Sequence, residues 1–345
     1  MADGSARRRT PGVVAALVAI AAALAAVTVL LRTSPWPSAL AVRWAFERGA
    51  RRTSAALRPL VPDGVTARLG EAVDAGPGIP AAHVDVVHPT ALADGERLPT
   101  VVWVHGGAWV SGSTRDVAEY ARILAARGFT VVTVGYAVAP RQRYPVPVHQ
   151  VCAALRHVVA HADGYHVDPA RLALAGDSAG AQIAAQVAAL VTDPAYARRV
   201  GVVPPVGPEG LRAAVLLCGA YDVARVDGSG LRGWFLRTVL WSYSGTRHFA
   251  TDPVIGLASV RDHVTARFPP AFVSAGNADP LLPHSRDLVE RLGALGVPVD
   301  ALFFADDHEP PLGHEYQFRL DTAAGREALE RVVAFLGEHL TSRAG

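Results

Sequence analysis

Short apolar runs alternate with longer stretches of helical periodicity from about residue 83 to the end of the chain. The apolar runs, which are rich in β-branched residues, cover 83–88, 100–105, 129–136, 171–176, 211–219, 271–276 and 299–304. The helical candidates cover 115–127, 147–162, 179–192, 283–295 and 322–340. Strands that are apolar throughout and separated by helices are typical of a mostly parallel sheet that is covered on both faces. We therefore predict one α/β domain over residues 81–345.

The alternation is interrupted once, at residues 222–265. This segment follows a predicted strand and is rich in large apolar side chains, namely Trp234, Phe235, Leu236, Val239, Leu240, Trp241 and Tyr243. It could be an ordinary packed helix. Because ligands of open α/β sheets bind beyond the carboxyl ends of the strands, it could also roof a pocket. We predict a cap insertion over 222–265, with Trp234 and Trp241 as walls of a substrate pocket.

Near the N-terminus, residues 13–31 form an uncharged apolar run that would be about 28 Å long as a helix, close to the thickness of a bilayer core. We interpret it as a single-pass transmembrane anchor that follows a basic tail over residues 1–12. The alternative is a signal peptide that is cleaved after Ala39-Leu40-Ala41 and leaves a secreted protein. We favour the anchor, because the run is longer than a usual signal-peptide core and that site lies well beyond it.

Charge is unevenly distributed along the chain. Residues 1–68 carry ten arginines against three acidic residues, whereas the remainder has a net charge of −5. A basic segment can indicate nucleic-acid binding, but this one flanks an apolar run and contains tryptophans, as segments at membrane surfaces do. We therefore predict a basic amphipathic linker or cap segment over residues 32–80, a membrane partner and no nucleic-acid partner.

The arginines also bear on the orientation of the anchor. Arg7, Arg8 and Arg9 precede it, which favours a cytoplasmic N-terminus and a globular domain outside the cytoplasm. Arg32, Arg43, Arg48 and Arg51 follow it within about 20 residues and weaken this asymmetry.

The most informative motif is GDSAG at residues 176–180, between an apolar run and a helical candidate. This is a G-x-S-x-G sequence in a strand–turn–helix context, where small neighbours allow a tight turn that exposes the Ser178 hydroxyl. A serine hydroxyl becomes a good nucleophile when a base accepts its proton, an acid orients that base and N–H groups hold the developing oxyanion. Ser178 is therefore a candidate nucleophile whose partners must lie elsewhere in the chain.

The second apolar run ends in HGGAW, residues 105–109. Glycines at this position allow backbone N–H groups to approach a substrate oxygen closely, so we predict an oxyanion hole formed by Gly106, Gly107 and the first helical residue, Ala179. His105 is interpreted as a structural residue that braces the loop. Trp109 is a third candidate for the wall of the substrate pocket.

The candidate acid and base follow later in the chain. Asp279 lies just beyond the apolar run at 271–276, and His314 lies in the sequence GHEYQF. Asp222, also beyond a strand end, is a rival acid, and His308 is a rival base. Asp177, beside the nucleophile, is interpreted as bracing the turn by local hydrogen bonds.

No metal or cofactor is expected. His308 lies among the carboxylates of residues 306–309, but no second histidine or cysteine has ligand spacing there. Cys152 and Cys218 fit neither a disulfide framework nor a zinc site, and we interpret them as small buried side chains.

Together these motifs resemble the α/β-hydrolase superfamily, and within it the hormone-sensitive-lipase-like esterase branch. The matching segments are HGGAW for the HGGG-type loop, GYAVAPRQRYPVPVHQV for the Y-x-L-A-P-E-x-x-x-P segment, GDSAG for the nucleophile elbow, DPLL for the acid and GHEYQF for the histidine. The resemblance spans about residues 80–340. Two positions depart from the pattern. Ala108 replaces the third loop glycine, which matters little if only the first two amides donate, and Arg141 replaces the glutamate of A-P-E, which puts an acidic contact there in doubt.

The resemblance implies an α/β-hydrolase fold and a serine carboxylesterase that forms an acyl-enzyme on Ser178, with His314 as base and Asp279 as acid. It requires no cofactor and implies a small-molecule or lipid-like ester substrate. The insertion and the N-terminal segment would form a cap that sets the acyl-chain preference. An amidase or arylformamidase is the alternative, because the same triad cleaves amides. A ligand-binding protein on a hydrolase scaffold is a further alternative, which the presence of all three triad residues disfavours.

Overall fold

A single eight-stranded sheet forms the centre of the computed structural model, which describes residues 11–225 and 230–341. The strand order is β1-β2-β4-β3-β5-β6-β7-β8. The first two pairings, β1 with β2 and β2 with β4, are antiparallel, and all the others are parallel. The strands are β1 Val65–Val73, β2 Ala82–Pro89, β3 Leu98–Val104, β4 Thr130–Gly135, β5 Val167–Asp177, β6 Leu211–Leu217, β7 Ala271–Ala275 and β8 Val299–Phe303.

The described α-helices are α1 Pro11–Thr33, α2 Trp36–Leu57, α3 Thr114–Ala125, α4 Val146–Ala160, α5 Ala179–Thr192, α6 Pro194–Val200, α7 Gly230–Ser244, α8 Pro253–Gly256, α9 Leu282–Ala294 and α10 Ala323–Thr341. Of these, α3, α4, α5, α9 and α10 cover the two faces of the sheet. Side chains of a strand alternate between its two faces: in β3, Val102 and Val104 join the core under α4, α5 and α9, whereas Val101 and Trp103 join the core under α3 and α10. Both faces are therefore apolar, which is why the central strands lack polar alternation.

The predicted mostly parallel α/β sheet is confirmed. The seven predicted strands correspond to β2–β8, and the five predicted helices correspond to α3, α4, α5, α9 and α10. One boundary differs. β1 lies inside residues 32–80, which we expected to be linker or cap, so the sheet begins earlier than predicted; its alternation is weak because most of its residues are exposed or half-buried on an edge strand. Residues 1–10 of the basic tail and 226–229 of the predicted cap insertion lie outside the described residues.

The apolar run at residues 13–31 forms most of α1, whose side chains from Gly12 onward are exposed along the whole helix. Among the described residues, α1 is the one helix that is long and apolar enough to cross a membrane. A signal sequence near an N-terminus has the same length and composition.

The following helix, α2, is docked on the domain. The guanidinium of Arg43 donates hydrogen bonds to the carbonyls of Val110 (2.7 Å) and Ala139 (3.0 Å). Phe46 stacks on Phe235 of α7 with ring centroids 5.8 Å apart. The part of the predicted linker that forms α2 is therefore an integral layer above the carboxyl ends of the strands.

The turn from β5 into α5 passes very close to the end of β3, and Gly180 is the residue at the crossing. A Cβ at position 180 would lie 2.1 Å from the carbonyl oxygen of Val104 and 2.4 Å from that of His105. Neither backbone oxygen can move without disturbing the central strand, so the crossing requires glycine.

We expect Gly180→Ala to lower the free energy of unfolding by about 1–3 kcal/mol, because the methyl group overpacks a rigid backbone crossing. Gly293→Ala in α9 is the matched control, since a Cβ there has no heavy atom within 4 Å. It should be neutral or stabilise by about 0.5–1 kcal/mol, because alanine favours the helix. Thermal and denaturant unfolding measure both variants, and equal effects would contradict the crossing argument.

Candidate active site

Ser178 occupies the sharp turn between β5 and α5. Its backbone has φ 52° and ψ −120°, a strained region for a residue with a side chain. The turn is fixed in place by a hydrogen bond from the Ser178 amide to the carbonyl of Leu217, at the end of the neighbouring strand β6 (2.8 Å). Strain of this kind, held by the surrounding sheet, aims the hydroxyl away from the backbone at the carboxyl edge of the strands.

His314 and Asp279 complete a hydrogen-bonded chain with this serine. The Ser178 Oγ lies 2.9 Å from Nε2 of His314, and Nδ1 of the same ring lies 2.9 and 3.0 Å from the two carboxylate oxygens of Asp279. The Asp279 side chain is fully buried and also accepts a hydrogen bond from the amide of Leu281 (2.7 Å). An ionised Asp279 can only accept, so Nδ1 carries the proton and Nε2 is free to accept the serine proton.

The surroundings of His314 stabilise the imidazolium that forms when Nε2 takes a proton. Burial lowers the pKa of His314, whereas its contact with Cys218 and the hydrogen bond and charge of Asp279 raise it. We give the larger role to Asp279, because burial raises the pKa of the Cys218 thiol to about 11 and keeps it neutral. The arrangement thus provides a base whose charged form is stabilised by its carboxylate partner.

The rival acid and base do not join this chain of hydrogen bonds. The Asp222 carboxylate accepts hydrogen bonds from the amides of Ala224 and Arg225 and from the Ser259 hydroxyl. The ring of His308 packs on Phe304, with centroids 4.8 Å apart. The structure therefore brings together the three residues that the motifs indicated, rather than either alternative.

One predicted oxyanion-hole donor is corrected. The amide of Gly106 donates to Oδ2 of Asp177 at 2.8 Å, and the indole N–H of Trp103 donates to Oδ1 at 2.8 Å, so the Gly106 amide is already bonded. Asp177 thus braces the site across to β3 and its loop, not within its own turn. Burial and the nearby charge of Glu315 raise the pKa of Asp177.

The available amides lie one residue further along the loop. Within the described residues, no acceptor bonds the amides of Gly107 and Ala108, and the amide of Ala179 begins a helix and has no intrahelical partner. Ala108 and Ala179 line the same cavity as Ser178. The candidate oxyanion hole is therefore Gly107, Ala108 and Ala179. Our prediction missed Ala108 because we assumed that the first two loop amides donate, whereas the first is bonded to Asp177.

His105 has the structural role that we expected. It is fully buried, and burial lowers its pKa to about 4, which keeps the ring neutral. Its Nδ1 donates to the carbonyl of Gly106 (2.8 Å), and the ring stacks on Tyr136 with centroids 4.3 Å apart. The hydroxyl of Tyr136 donates to the His105 carbonyl (3.1 Å). These contacts hold the start of the loop that carries the candidate oxyanion donors.

The candidate nucleophile opens into an apolar cavity of about 260 Å³. Its walls come from the loop after β3, from α2 and α7, and from the turn after Asp279, and include Phe46, Trp109, Phe235, Leu236, Val239, Leu240 and Leu281. Trp109 lies in this wall as predicted, and its indole donates to the buried amide of Gln182 (3.0 Å). Phe46 was not predicted as a pocket residue, because the expected role of the N-terminal segment in a cap does not indicate which of its side chains faces the cavity.

Trp234 and Trp241 do not line this cavity, which corrects our prediction. They lie on another face of α7, in a separate cavity with Leu31 of α1. The physical reason is the helical period: residues 235, 236, 239 and 240 share one face, whereas 234, 237, 238 and 241 share the other. α7 does line the cavity, but with the face that carries Phe235, Leu236, Val239 and Leu240.

One group among the described residues has the ligand spacing of a metal site, namely Cys218, Asp279 and His314, whose ligand atoms lie within 4.8 Å of one another. Both ring nitrogens of His314 already have hydrogen-bond partners, and the neutral Cys218 thiol is a poor ligand. The donor set suits a proton relay better than a metal ion.

Cys152 and Cys218 are both buried free thiols. Cys152 lies in α4, and Cys218 lies one residue beyond the end of β6.

Comparisons with known proteins agree with the fold. A family model described as "alpha/beta hydrolase fold" matches residues 101–308. The chain is 30% identical to Carboxylesterase NlhH of Mycobacterium tuberculosis (strain ATCC 25618 / H37Rv) over 266 residues, 75% of this chain and 79% of that protein. It is 28% identical to an esterase of Gibberella moniliformis (strain M3125 / FGSC 7600) over 227 residues, 64% of this chain and 68% of that protein.

Solved structures give the same result. An esterase of Pyrobaculum calidifontis superimposes with a TM-score of 0.70 at 25% identity, over 88% of this chain and 94% of that one. EstE1, a carboxylesterase cloned from a metagenomic library, also has a TM-score of 0.70 at 25% identity, over 90% of this chain and 99% of that one. The chain therefore belongs to the α/β-hydrolase superfamily, in its hormone-sensitive-lipase-like branch, and is a hydrolase of the carboxylesterase type.

Proposed function

We propose that this enzyme hydrolyses carboxylic esters through an acyl-enzyme on Ser178. The observation that carries the proposal is the unbroken hydrogen-bonded chain from Ser178 through His314 to Asp279, which opens into an apolar cavity beside free backbone amides. A nucleophile, a base, an orienting acid and an oxyanion site are the components that acyl transfer requires.

In the acylation step, the Ser178 oxygen attacks the ester carbonyl while Nε2 of His314 takes the hydroxyl proton. Asp279 holds the ring with Nδ1–H bonded to its carboxylate and stabilises the imidazolium that forms. The amides of Gly107, Ala108 and Ala179 donate to the carbonyl oxygen as it becomes negative. The imidazolium then gives its proton to the leaving alkoxide, and the acyl group remains on Ser178.

In the deacylation step, His314 takes a proton from water, and the resulting hydroxide attacks the acyl carbon. Collapse of the second tetrahedral intermediate breaks the bond to Ser178, whose oxygen recovers the proton from His314. The similar proteins named above are esterases, and the apolar walls of the cavity suit an acyl chain of small or moderate length.

A fluorophosphonate probe should label the wild-type protein, and Ser178→Ala should abolish both labelling and hydrolysis of p-nitrophenyl butyrate. Asp279→Ala and His314→Ala should each lower kcat by at least about 10³-fold, because the three groups act as a unit. Asp222→Ala and His308→Ala are the matched controls and should retain most activity. Losses of equal size at a control position, or wild-type turnover by Ser178→Ala, would refute the assignment. Matched p-nitroanilides measure any amidase activity in the same assay.

The acyl preference should depend on the face of α7 that lines the cavity. Leu236→Trp is expected to fill part of the acyl pocket and to raise the butyrate-to-decanoate ratio of kcat/KM by roughly tenfold. Trp241→Ala, on the opposite face, should leave this ratio unchanged. The ratio is measured with p-nitrophenyl butyrate and p-nitrophenyl decanoate. A changed ratio for Trp241→Ala together with an unchanged ratio for Leu236→Trp would show that acyl chains bind on the opposite face of α7.

We also propose that α1 anchors the enzyme in a membrane as a single span, with the N-terminus in the cytoplasm and the catalytic domain outside. Support comes from α2, which begins three residues after α1. Cleavage after Ala41 would cut α2 and remove the buried side chains of Ser38 and Ala39 from their packing. A secreted protein that begins at Val42 would therefore lose the part of α2 that adjoins Arg43, the residue bonded to two loop carbonyls.

The full chain should remain in the membrane fraction after carbonate and high-salt extraction. Ile20→Arg, which places a charge at the centre of the apolar run at a cost of about 3 kcal/mol, should reduce this recovery. N-terminal sequencing distinguishes the alternative, because a mature protein that begins at Val42 would show that the segment is a cleaved signal peptide. Protease accessibility in intact cells tests the orientation separately.

A further inference from the structure

One helix separates the catalytic cavity from the end of α1. Phe235, Leu236 and Val239 of α7 line the cavity that contains Ser178, whereas Trp234 and Trp241 share a second cavity with Leu31 of α1. A helix with its side chains is about 10 Å across. The wall of the catalytic cavity therefore lies within about one helix diameter of the point where α1 ends.

The C-terminal end of α7 is also tied to α1. Arg247, just after α7, donates a hydrogen bond to the carbonyl of Arg32, and its guanidinium lies 3.8 Å from the ring centroid of Trp241. These contacts fix the cap relative to the end of α1. If α1 spans a bilayer, the cap lies at the level of the lipid headgroups.

The outer face of α2 has the composition of a helix at such a surface. Trp36, Leu40 and Trp44 follow one another at four-residue spacing and are 41%, 50% and 66% exposed. Further from α1, the exposed charged residues are mostly basic, with Arg48, Arg51 and Arg52, beside one acidic residue, Glu47, which pairs with Arg51 at 3.6 Å. Arg48 lies over the ring of Trp44, 5.9 Å from its centroid. On α7, Leu231 adds an 80% exposed leucine close to the cavity residue Arg232.

Arg141, the residue that departs from the A-P-E pattern, lies in the same region. Arg141 lines a cleft with Trp36 and Arg43 at the start of α2. An arginine and an indole that share a cleft beside the end of an apolar helix suit an anionic lipid headgroup, whereas the glutamate of the family pattern would repel one.

We propose that the outer face of α2, the first turn of α7 and Arg141 in the loop between β4 and α4 lie together on an anionic bilayer; this surface is here called the cap face (Trp36, Leu40, Trp44, Arg141 and Leu231). The catalytic cavity then takes its substrate from that bilayer, so the substrate class is an amphiphilic acyl ester dissolved in lipid. Continuity with α1 and the combination of indoles with arginines select a lipid surface over a protein partner. This inference rests on the proposed esterase activity and anchor.

The first test measures contact with lipid and does not depend on catalysis. The full chain is reconstituted into phosphatidylcholine–phosphatidylglycerol vesicles that contain phospholipid brominated near the headgroup end of the acyl chain. α1 contains no tryptophan, so quenching reports on the domain. Trp44→Phe should remove a large part of the quenched emission, and equal fractional quenching of wild type and Trp44→Phe would overturn the proposal. A chain that instead self-associates through this face, with Trp44 protected from the brominated lipid, would also overturn it.

The second test compares two substrates, soluble p-nitrophenyl butyrate and 4-methylumbelliferyl decanoate dissolved in the same vesicles. The variant that combines Leu40→Ser, Trp44→Ser and Leu231→Ser should lose at least about tenfold in turnover of the vesicle-borne ester and keep its turnover of the soluble ester within twofold. Val203→Ser is the matched control: it is 75% exposed but lies before the amino end of β6, on the opposite edge of the sheet. We expect the wild type to turn over the vesicle-borne ester faster in vesicles that contain phosphatidylglycerol than in pure phosphatidylcholine vesicles. Arg141→Glu should reduce this difference in turnover.

These outcomes distinguish failure of the cap-face proposal from failure of the proposed esterase activity or of the proposed membrane anchor. Parallel loss on both substrates in the triple variant, or no loss on either, would overturn the cap-face proposal and leave the esterase intact. A wild type that hydrolyses neither substrate would refute the esterase, while quenching at Trp44 would still report on the cap face. Release of the wild-type chain by carbonate would overturn both the anchor and the cap face.

Discussion

The buried carboxylate of Asp177 connects the two halves of the active site. It lies at the end of β5, directly before the nucleophile, and receives hydrogen bonds from the indole of Trp103 in β3 and from the amide of Gly106 in the following loop. The turn that carries Ser178 and the loop that carries the free amides are therefore joined through one side chain. An oxyanion site works when its donors are held before the charge forms. Asp177 supplies that restraint by occupying the first loop amide, and the amides of Gly107 and Ala108 have no acceptor among the described residues.

The far wall of the site depends on a second set of buried polar contacts. Gln182, one turn into α5, accepts from the indole of Trp109, and its amide donates to Gln186 and to the carbonyl of Ala258. Tyr243 of α7 stacks on Trp109 with ring centroids 4.9 Å apart. The helix that follows Ser178 thus orients the indole in the cavity wall, and this indole in turn packs against α7. The position of Ser178 and the shape of the cavity are therefore linked through α5 and Trp109.

Local patterns in the sequence predicted most of the sheet and indicated the three residues that the structure joins in one hydrogen-bonded chain. Apolar runs with helical spacing between them define β2–β8, and each of these three residues follows a strand or lies in a recognisable motif. The missed features depend on tertiary contacts. Gly106, Gly107 and Ala108 follow one another in a glycine-rich loop, and the bond from the Gly106 amide to Asp177 decides which of their amides are free. The orientation of α7 depends on which of its two apolar faces lines the cavity that contains Ser178, and the two largest side chains, Trp234 and Trp241, lie on the other face. Phe46 reaches the cavity across a packing contact between segments almost 190 residues apart.

The docking of α2 also determines where the chain can be shortened. A protein that begins near residue 34 would lack the exposed apolar helix but keep Arg43 on its two carbonyls and Phe46 in the cavity wall. One that begins at β1, where the regular sheet starts, would remove one side of the acyl pocket and expose Phe235 to water. The minimal catalytic unit of this enzyme is therefore larger than its sheet and its family match, which begins at residue 101. Its boundary lies between the end of α1 and the start of α2.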